Sequence, residues 1–489
     1  MDAIGILEEA IAKAIAGNDV YDSYQAQWRY LLESYMGGLE YKNARHLVRY
    51  QLETDGEYQS RLNTTPLDNH CASVISVYNS FLFRKAPDRD LATLDGMPEV
   101  TDFLKDADFA GRSLDAFMKE VSTWSSVFGN CWVMVTKPDI GATNRAQEQA
   151  AGVRPYVSLL TPLAVLDWSW VRLPSGRYEL DRFRYIEDIN NEIQTIKVWT
   201  KETIQTLVID EENSSILEDV TVPNGLGKIP AIAVYNKKSV VRGIGVSDIA
   251  DIADCQKFIY NATSEIDQSI RLDSHPSLVK TSDTNAGIGA GSLIHMPENL
   301  DPGLKPYVLE FTGASIDKIL AAIQHQIAAI DKMANIGAVR AIEAKSMSGV
   351  AMETEFQLLN AKLSEKGDNL ELAEEKIWEL VAEYVGMQWD GEVEYPSSFN
   401  LRDKTGEISQ LKVAAETSES PQVKLAIAEK VLEWLKGEDD EYVFGEATLE
   451  SVVAEEYVSH DMVDADGNTR TANSQADHDE LTAQGYTRA

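Results

Sequence analysis

The stretch VPNGLGKIP, residues 222–230, sets Gly227 beside Lys228 and invites a nucleotide reading. A phosphate loop needs G-x-x-x-x-G-K-[ST], so that backbone N–H groups cradle the phosphates and the lysine reaches them. Here Val222 stands at the first glycine and Ile229 at the hydroxyl position, so the stretch reads as a turn entering a strand at Ile229. GIGAGS, residues 287–292, has glycines two apart but follows no strand–helix unit of the dinucleotide type. VDADGNT, residues 463–469, resembles part of a calcium loop. With Gly467 at the sharp turn, Met462 and Asn473 would take the first and last ligand places, and neither is a carboxylate. A plain Asp-Gly turn is expected there.

The seven histidines are dispersed, H-E-x-x-H and G-x-S-x-G are absent, and Cys71, Cys131 and Cys255 form no C-x-x-C pair. Buried reduced thiols are the expectation, with no disulfide framework, zinc site or cofactor. Nothing singles out a catalytic pair among the carboxylates, and the chain is not expected to be an enzyme.

The 489 residues carry 79 acids against 44 bases, a formal net charge of −35. Most of such a surface repels nucleic acid. That excludes a wrapping role, but it suits a wall along which DNA must slide. No apolar run reaches membrane-spanning length. The opening MDAIGILEEAIAKAIAG has an acid where a signal peptide carries base. It reads as an amphipathic helix with Ile4, Leu7, Ile11 and Ile15 on one face, and a cytoplasmic chain is expected.

The elements that would position any site follow a clear order. The first ~120 residues read mainly helical, with stops at Gly37-Gly38 and Gly129-Asn130. Residues 131–236 turn β-branched and aromatic between turn residues, predicting an antiparallel sheet of five to seven strands. A helix follows Ser247 as N-cap, and another follows Ser315. Between them lies a Gly- and Pro-rich insert with short β-like runs. After a small irregular segment, Phe356, Leu363, Leu370, Ile377 and Tyr384 recur every seven residues. Lys366 interrupts their companion positions Leu359, Ala373 and Leu380. From Val350 to Val385, 36 residues would span about 54 Å, with a kink expected at Gly367-Asp368-Asn369. Ser420, Pro421 and Gly437 bracket a later helix. From Gly437 to the end there are 14 acids against 2 arginines, and the last ~25 residues, lacking apolar periodicity, are expected to be poorly ordered.

Several stretches resemble the portal (head-to-tail connector) proteins of tailed bacteriophages. YQLETDGEYQSRLNTTPLDNHCASVISVYNSFLFRKAP (50–87), with its acid-Tyr-x-x-Arg run, resembles the early portal helices. DADFAGRSLDAFMKEVSTWSSVFGNCWVMVTKP (106–138) resembles the next helix and first wing strand. IPAIAVYN and SDIADIADCQKFIYNATSEIDQSIRLDSHPSLV resemble the entry to and exit from the first stem helix. SGVAMETEFQLLNAKLSEKGDNLELAEEKIWELVAEYVG resembles the long helix after the tunnel loop. The likeness covers roughly residues 20–435, and the tail past Gly437 has no counterpart.

The resemblance implies a predominantly helical α+β subunit that assembles into a ring, usually of twelve. It implies a wing over 1–246, a first stem helix over 247–273 and a clip over 274–314. A second stem helix over 315–336 and a tunnel loop over 337–348 follow. The long kinked helix then returns to the wing over 349–399, with a crown over 400–437 and a partly disordered acidic tail over 438–489. The implied function is the DNA channel of one capsid vertex, through which the genome is packaged and ejected. Implied partners are further copies of the chain, double-stranded DNA passing weakly and non-specifically, the terminase packaging motor, a head-tail adaptor and the major capsid protein or scaffold. No membrane is implied. The expected location is the virion, and the host cytoplasm during assembly.

Two site readings follow. The first stem helix carries six acids and two bases over 248–273, so Asp248, Asp251, Asp254, Glu265 and Asp267 are candidates for an acidic channel wall; a solvated outer face is the other reading. The loop carries Arg340 and Lys345 against Glu343, a local excess of base, so Arg340, Lys345, Ser346 and Met347 are candidates for facing DNA. Pairing with acids of neighbouring subunits is the alternative for the two cations. Two other functions stay open: another structural head protein such as a minor capsid component, or a cytoplasmic enzyme of unlocated chemistry.

Overall fold

The computed structural model describes residues 16–274 (except 139, 142–144, 211 and 214), 277–282, 295–309 (except 297 and 300), 314–340, 349–397 with 399, 427, and 460–488 (except 466, 473 and 474). The chain divides into two units, residues 1–399 and 400–489.

In the larger unit, helices come first: α1 (Asp19–Met36), α2 (Gly38–Asn43), α3 (Asp55–Thr64) and α4 (His70–Leu82). Side-chain caps start three of them. Asn18 accepts from Val20 N, Thr54 and Glu57 form a reciprocal capping box, and Asn69 accepts from Ala72 N. Gly37, at φ 65°, ends α1 as expected. Strand β1 (Asp88–Asp90), α5 (Pro98–Lys105) and α6 (Leu114–Phe128) follow, with Gly129 at φ 92° closing α6 at the expected stop.

The β region splits in two. Strands β2 (Asn130–Thr136), β3 (Tyr156–Leu160) and β9 (Ala231–Tyr235) form one antiparallel sheet in the order β3-β2-β9. Helix α7 (Arg145–Ala150) lies between β2 and β3 in sequence. The second sheet is an antiparallel meander of β4 (Val165–Arg172), β5 (Tyr178–Asn190), β6 (Ile193–Thr200), β7 (Thr203–Asp210) and β8 (Ser215–Pro223). That makes eight strands where five to seven were expected. Strand β2 is buried along nearly its whole length, as suits the centre of a covered sheet. The stretch around Gly227 is the expected turn: Gly227 has φ 67°, and Asn224 bonds Thr200 O and Lys228 O across it.

Helix α8 (Ala250–Ser274) leads to β10 (Ser277–Val279), which pairs antiparallel with β11 (Tyr307–Leu309) before α9 (Ala314–Ala334) returns along α8. The short α10 (Gly337–Arg340) and the 36-residue α11 (Gly349–Tyr384) follow. Strand β12 (Glu392–Glu394) then pairs with β1.

Two local expectations need correction. Ser247 does not cap α8, which begins three residues later. Its hydroxyl accepts from Ile249 N and donates to Val127 O, securing the turn before the helix. Ser315 lies inside α9 instead of preceding it. At Gly367-Asp368-Asn369, where a kink was expected, α11 runs on as unbroken helix. Gly367 lies near Leu82, Tyr395 and the Pro396 carbonyl, at distances that leave a Cβ in ordinary van der Waals contact.

One continuous core runs through the larger unit, with Trp28, Phe117, Trp132, Phe183, Leu363 and Trp378 deep within it. The heptad positions Leu363, Leu370 and Ile377 of α11 are buried there, together with Leu359, Ala373 and Leu380. The helix packs within its own unit, against β9, β12, α4 and α6.

The smaller unit corrects the expected disorder at the C-terminus. Strands β13 (His460–Val463), β14 (Thr469–Ala472) and β15 (Thr487–Arg488) form a sheet in the order β14-β13-β15, joined by α12 (Gln475–Ala483). Met462, Ala472 and Leu481, with Tyr486 against them, form a small core. β13, β14 and α12 each supply one residue to it, a pattern too sparse to register as periodicity. The Asp-Gly turn is as expected: Gly467 has φ 81°, and Asn468 N donates to Asp464 Oδ1.

Candidate functional site

The base of the α8/α9 pair is where the chain concentrates buried charge. Asp248 lies two residues before α8, its side chain only 7% exposed. Lys366, 5% exposed at mid-helix in α11, donates to Asp248 Oδ2 at 2.7 Å and Ser126 Oγ at 2.7 Å, and also to Asn236 Oδ1. Those acceptors come from the end of α6, the end of β9 and the entry to α8, so one ammonium group ties three segments to the long helix. Lys362, one turn earlier, reaches Asp248 Oδ1 at 3.1 Å and the Tyr78 hydroxyl at 2.8 Å. The Tyr78 hydroxyl in turn donates to the Ala334 carbonyl at the end of α9.

Burial alone would raise the Asp248 carboxyl, but the two ammonium groups outweigh it and hold the group at about 2. Burial pulls Lys366 down, while Lys362 is held up by Asp248 and Tyr78 against its own burial. Asp248 is thus a structural counter-ion, and its candidacy for an acidic channel wall is corrected: the side chain faces two lysines inside the fold.

The other acids of α8 point elsewhere. Asp251 is exposed. Asp254 is exposed and accepts from the Tyr30 hydroxyl at 3.1 Å. Glu265 is exposed and accepts from Tyr50 at 2.7 Å, and Asp267 pairs with Arg271 at 2.9 Å one turn on. The opposite face is buried through Ile252, Gln256, Ile259 and Ser264. Gln256 accepts from Cys71 N and donates to Ser34 O. Arg61, 2% exposed, clamps Glu53 with Nε and Nη2 at 2.8 Å each and donates to Ser264 Oγ at 3.0 Å, with its guanidinium 4.0 Å over the Tyr50 ring. Arg61 is the arginine of the acid-Tyr-x-x-Arg run, and its work is to fasten the early helices to α8.

Of the four loop candidates, Lys345, Ser346 and Met347 lie outside the described residues. Arg340 ends α10 and pairs with Asp331 of α9 at 3.0 Å, while its other arm donates to Ser73 Oγ. Both members of the ion pair are about 21% exposed. The alternative expected for the two cations was pairing with acids of neighbouring subunits; Arg340 instead pairs with an acid of its own chain. The GIGAGS loop and the proposed crown, save residue 427, also lie outside the described residues.

A second buried carboxylate went unnoticed in the sequence. Glu374, fully buried on α11, accepts from Arg89 Nε at 2.5 Å, Trp378 Nε1 at 3.2 Å and the Tyr395 hydroxyl at 2.7 Å. Arg89 also pairs with Asp115 at 2.7 Å, so β1 is pinned to both α11 and α6. Only the spacing Glu374-x-x-x-Trp378 on one helix face hinted at this. Among the described residues no group of His, Cys, Asp and Glu is placed to hold a metal ion, and no helix is long and apolar enough to cross a membrane.

The chemistry gathered here is ion pairing that locks helices and sheets together, as in a structural subunit whose helix pair is held rigid at its base. Residues 180–410 match the family described as phage portal protein, SPP1 Gp6-like, and the portal-family resemblance read from the sequence is borne out. That span runs from the five-stranded sheet through α8, α9 and α11. No curated protein matches the sequence. Among solved structures, the chain is similar to a subunit in the neck of an empty gene transfer agent particle computed with C6 symmetry (11% identity, 75% of this chain and 91% of that one, TM-score 0.44). It is also similar to one in the virion of the native particle (12% identity, 79% and 97%, TM-score 0.41). A third is in the native neck computed with C12 symmetry (11% identity, 73% and 89%, TM-score 0.41).

Proposed function

We propose that this chain is the subunit of a portal ring at one capsid vertex, forming the channel through which a double-stranded DNA genome is packaged and later ejected. The observation that carries this is the portal-family match over 180–410, which includes both helices of the α8/α9 pair and the long helix behind them. In this reading α8 and α9 are the stem and residues 274–314 the clip. The packaging motor docks at the clip first, the tail adaptor later. Residues 337–348 are the tunnel loop, and 1–246 the wing toward the capsid protein.

Surface chemistry supports the reading. Phe258 and Ile270 of α8 and Leu320 and Met333 of α9 are each 40–49% exposed in the single chain. Apolar side chains on both helices of one pair suit packing against neighbouring copies. Asp251, Asp254 and Glu265 leave α8 with exposed negative charge, which keeps DNA from adhering to a channel wall. Because Arg340 is engaged by Asp331, the loop's contact with passing phosphates falls to Lys345.

Negative-stain imaging of the purified full-length protein tests the proposal. Rings with a central hole are expected. Compact monomers or dimers at high concentration, and also in the presence of capsid components, would overturn it and favour another head protein.

A further inference from the structure

A second feature lies away from the α8/α9 base: a cavity between the two sheets' edges and the C-terminal half of α11. It has a volume of about 600 Å³. In a chain of net charge −35 its lining is inverted: five cations against the single carboxylate of Glu179. Two of those cations are neutralised. Lys201 pairs with Glu179 at 3.0 Å, and Lys228 pairs with Glu383. The other three, Lys238, Arg242 and Lys376, have no carboxylate within ion-pairing distance among the described residues. Arg242 is instead stacked on the Tyr178 ring, 3.5 Å from its centroid, and Lys238 lies 5.7 Å from the Tyr235 ring. Lys376 is lowered first by burial and then by its like-charged neighbours Lys238 and Arg177, which together outweigh the upward pull of the Glu379 carboxylate; a bound anion would relieve that repulsion.

The rim is apolar as well as basic. Val240 is fully exposed, and Tyr178 is 45% exposed above Arg242. Three unpaired cations converging on one cavity with an apolar lip suit a ligand that carries a few carboxylates and an apolar side chain together. They do not suit a bare polyphosphate, which offers nothing to the apolar lip. We propose that this cavity is the docking site for a short acidic peptide segment of a partner protein. Its carboxylates meet Lys238, Arg242 and Lys376, and an apolar side chain covers Val240. The proposal is independent of whether the chain forms a ring.

The probe is a fluorescent dodecapeptide of Asp and Glu with one Leu and one Tyr, titrated with the full-length protein at physiological salt and read by anisotropy. Saturable binding is expected. Lys238→Gln/Arg242→Gln/Lys376→Gln should weaken it by about tenfold or more. Val240→Ser should weaken it by a few-fold while leaving its salt dependence unchanged. Tryptophan fluorescence and circular dichroism check that each variant folds. The proposal is overturned if the triple variant folds and binds equally well. It is also overturned if a leucine-free, tyrosine-free acidic peptide or inorganic phosphate competes as effectively, which would mark a bare anion site. A single-stranded oligonucleotide binding the cavity more tightly than the peptide would assign it to nucleic acid instead.

Discussion

The Asp248–Lys366–Lys362 cluster makes a quantitative prediction, because its two halves are not equivalent. In Lys366→Met, Asp248 keeps Lys362 at 3.1 Å, and Ser126 keeps its own bond to Ser122 O. The main loss is the donor to the buried Asn236 Oδ1, together with one of two counter-charges, for a cost of about 2 kcal/mol. In Asp248→Asn two ammonium groups lose the carboxylate they both pair with, one of them in the core, and the cost is about 3–5 kcal/mol. The double variant should cost less than the sum, with a coupling of about 1.5–3 kcal/mol. Equilibrium urea unfolding followed by tryptophan fluorescence measures all four corners of the cycle. Acid supplies an independent check. The folded value of Asp248, about 2, lies below its ordinary 3.8. Its contribution is therefore complete above the unfolded value and is lost as pH falls from about 4 through 2; the gap corresponds to about 2 kcal/mol. Asp248→Asn should lack that part of the acid destabilisation. If the aspartate and lysine variants are equally costly and additive, or if the acid slope survives in Asp248→Asn, the cluster is not the lock described here.

Other consequences are checked more simply. Gly367→Ala should stabilise the chain by about 0.5–1 kcal/mol in thermal unfolding, since a Cβ there meets only ordinary van der Waals contacts at 3.5 Å or more and α11 gains helix propensity. A loss of stability would mean that the glycine is needed as a hinge. Gly245→Ala should be far more harmful, by about 3 kcal/mol or loss of soluble protein, because its Cβ would lie 1.9 Å from Gly129 O. Burial pushes the Cys71 thiol up to about 12 and Cys131 higher still, whereas the half-buried Cys255 is raised less. Titration of the native protein with a thiol reagent should thus modify Cys255 first, with Cys71 and Cys131 reacting only after denaturation. Lys345→Ala should alter DNA packaging or retention with unfolding midpoints unchanged, whereas Arg340→Ala should lower the midpoint by removing the Asp331 and Ser73 contacts.

The readable parts of this sequence were those set by local rules. Gly37 and Gly129 ended helices because a left-handed residue closes an α-helix cheaply only where there is no Cβ. The strands of 131–236 announced themselves by β-branched and aromatic runs, but nothing local reveals that they divide into two sheets. That division depends on β9 returning to pair with β2 across about a hundred residues. The site was harder for the same reason. Six acids in and around α8 look alike in sequence, and only the long-range approach of α11 separates Asp248, locked on two lysines, from Asp251, which is exposed. Lys366 is the sharpest case. It occupies a companion position of an apolar heptad, where a charge looks like an interruption. In the fold that position is buried, and the ammonium is tolerated because α6, β9 and the α8 entry each bring it an acceptor. A lysine breaking an apolar stripe is thus itself a signal: inside a packed helix it demands a carboxylate from a distant segment. Asp248, at the mouth of the α8/α9 pair, is the partner that ties the long helix to α8.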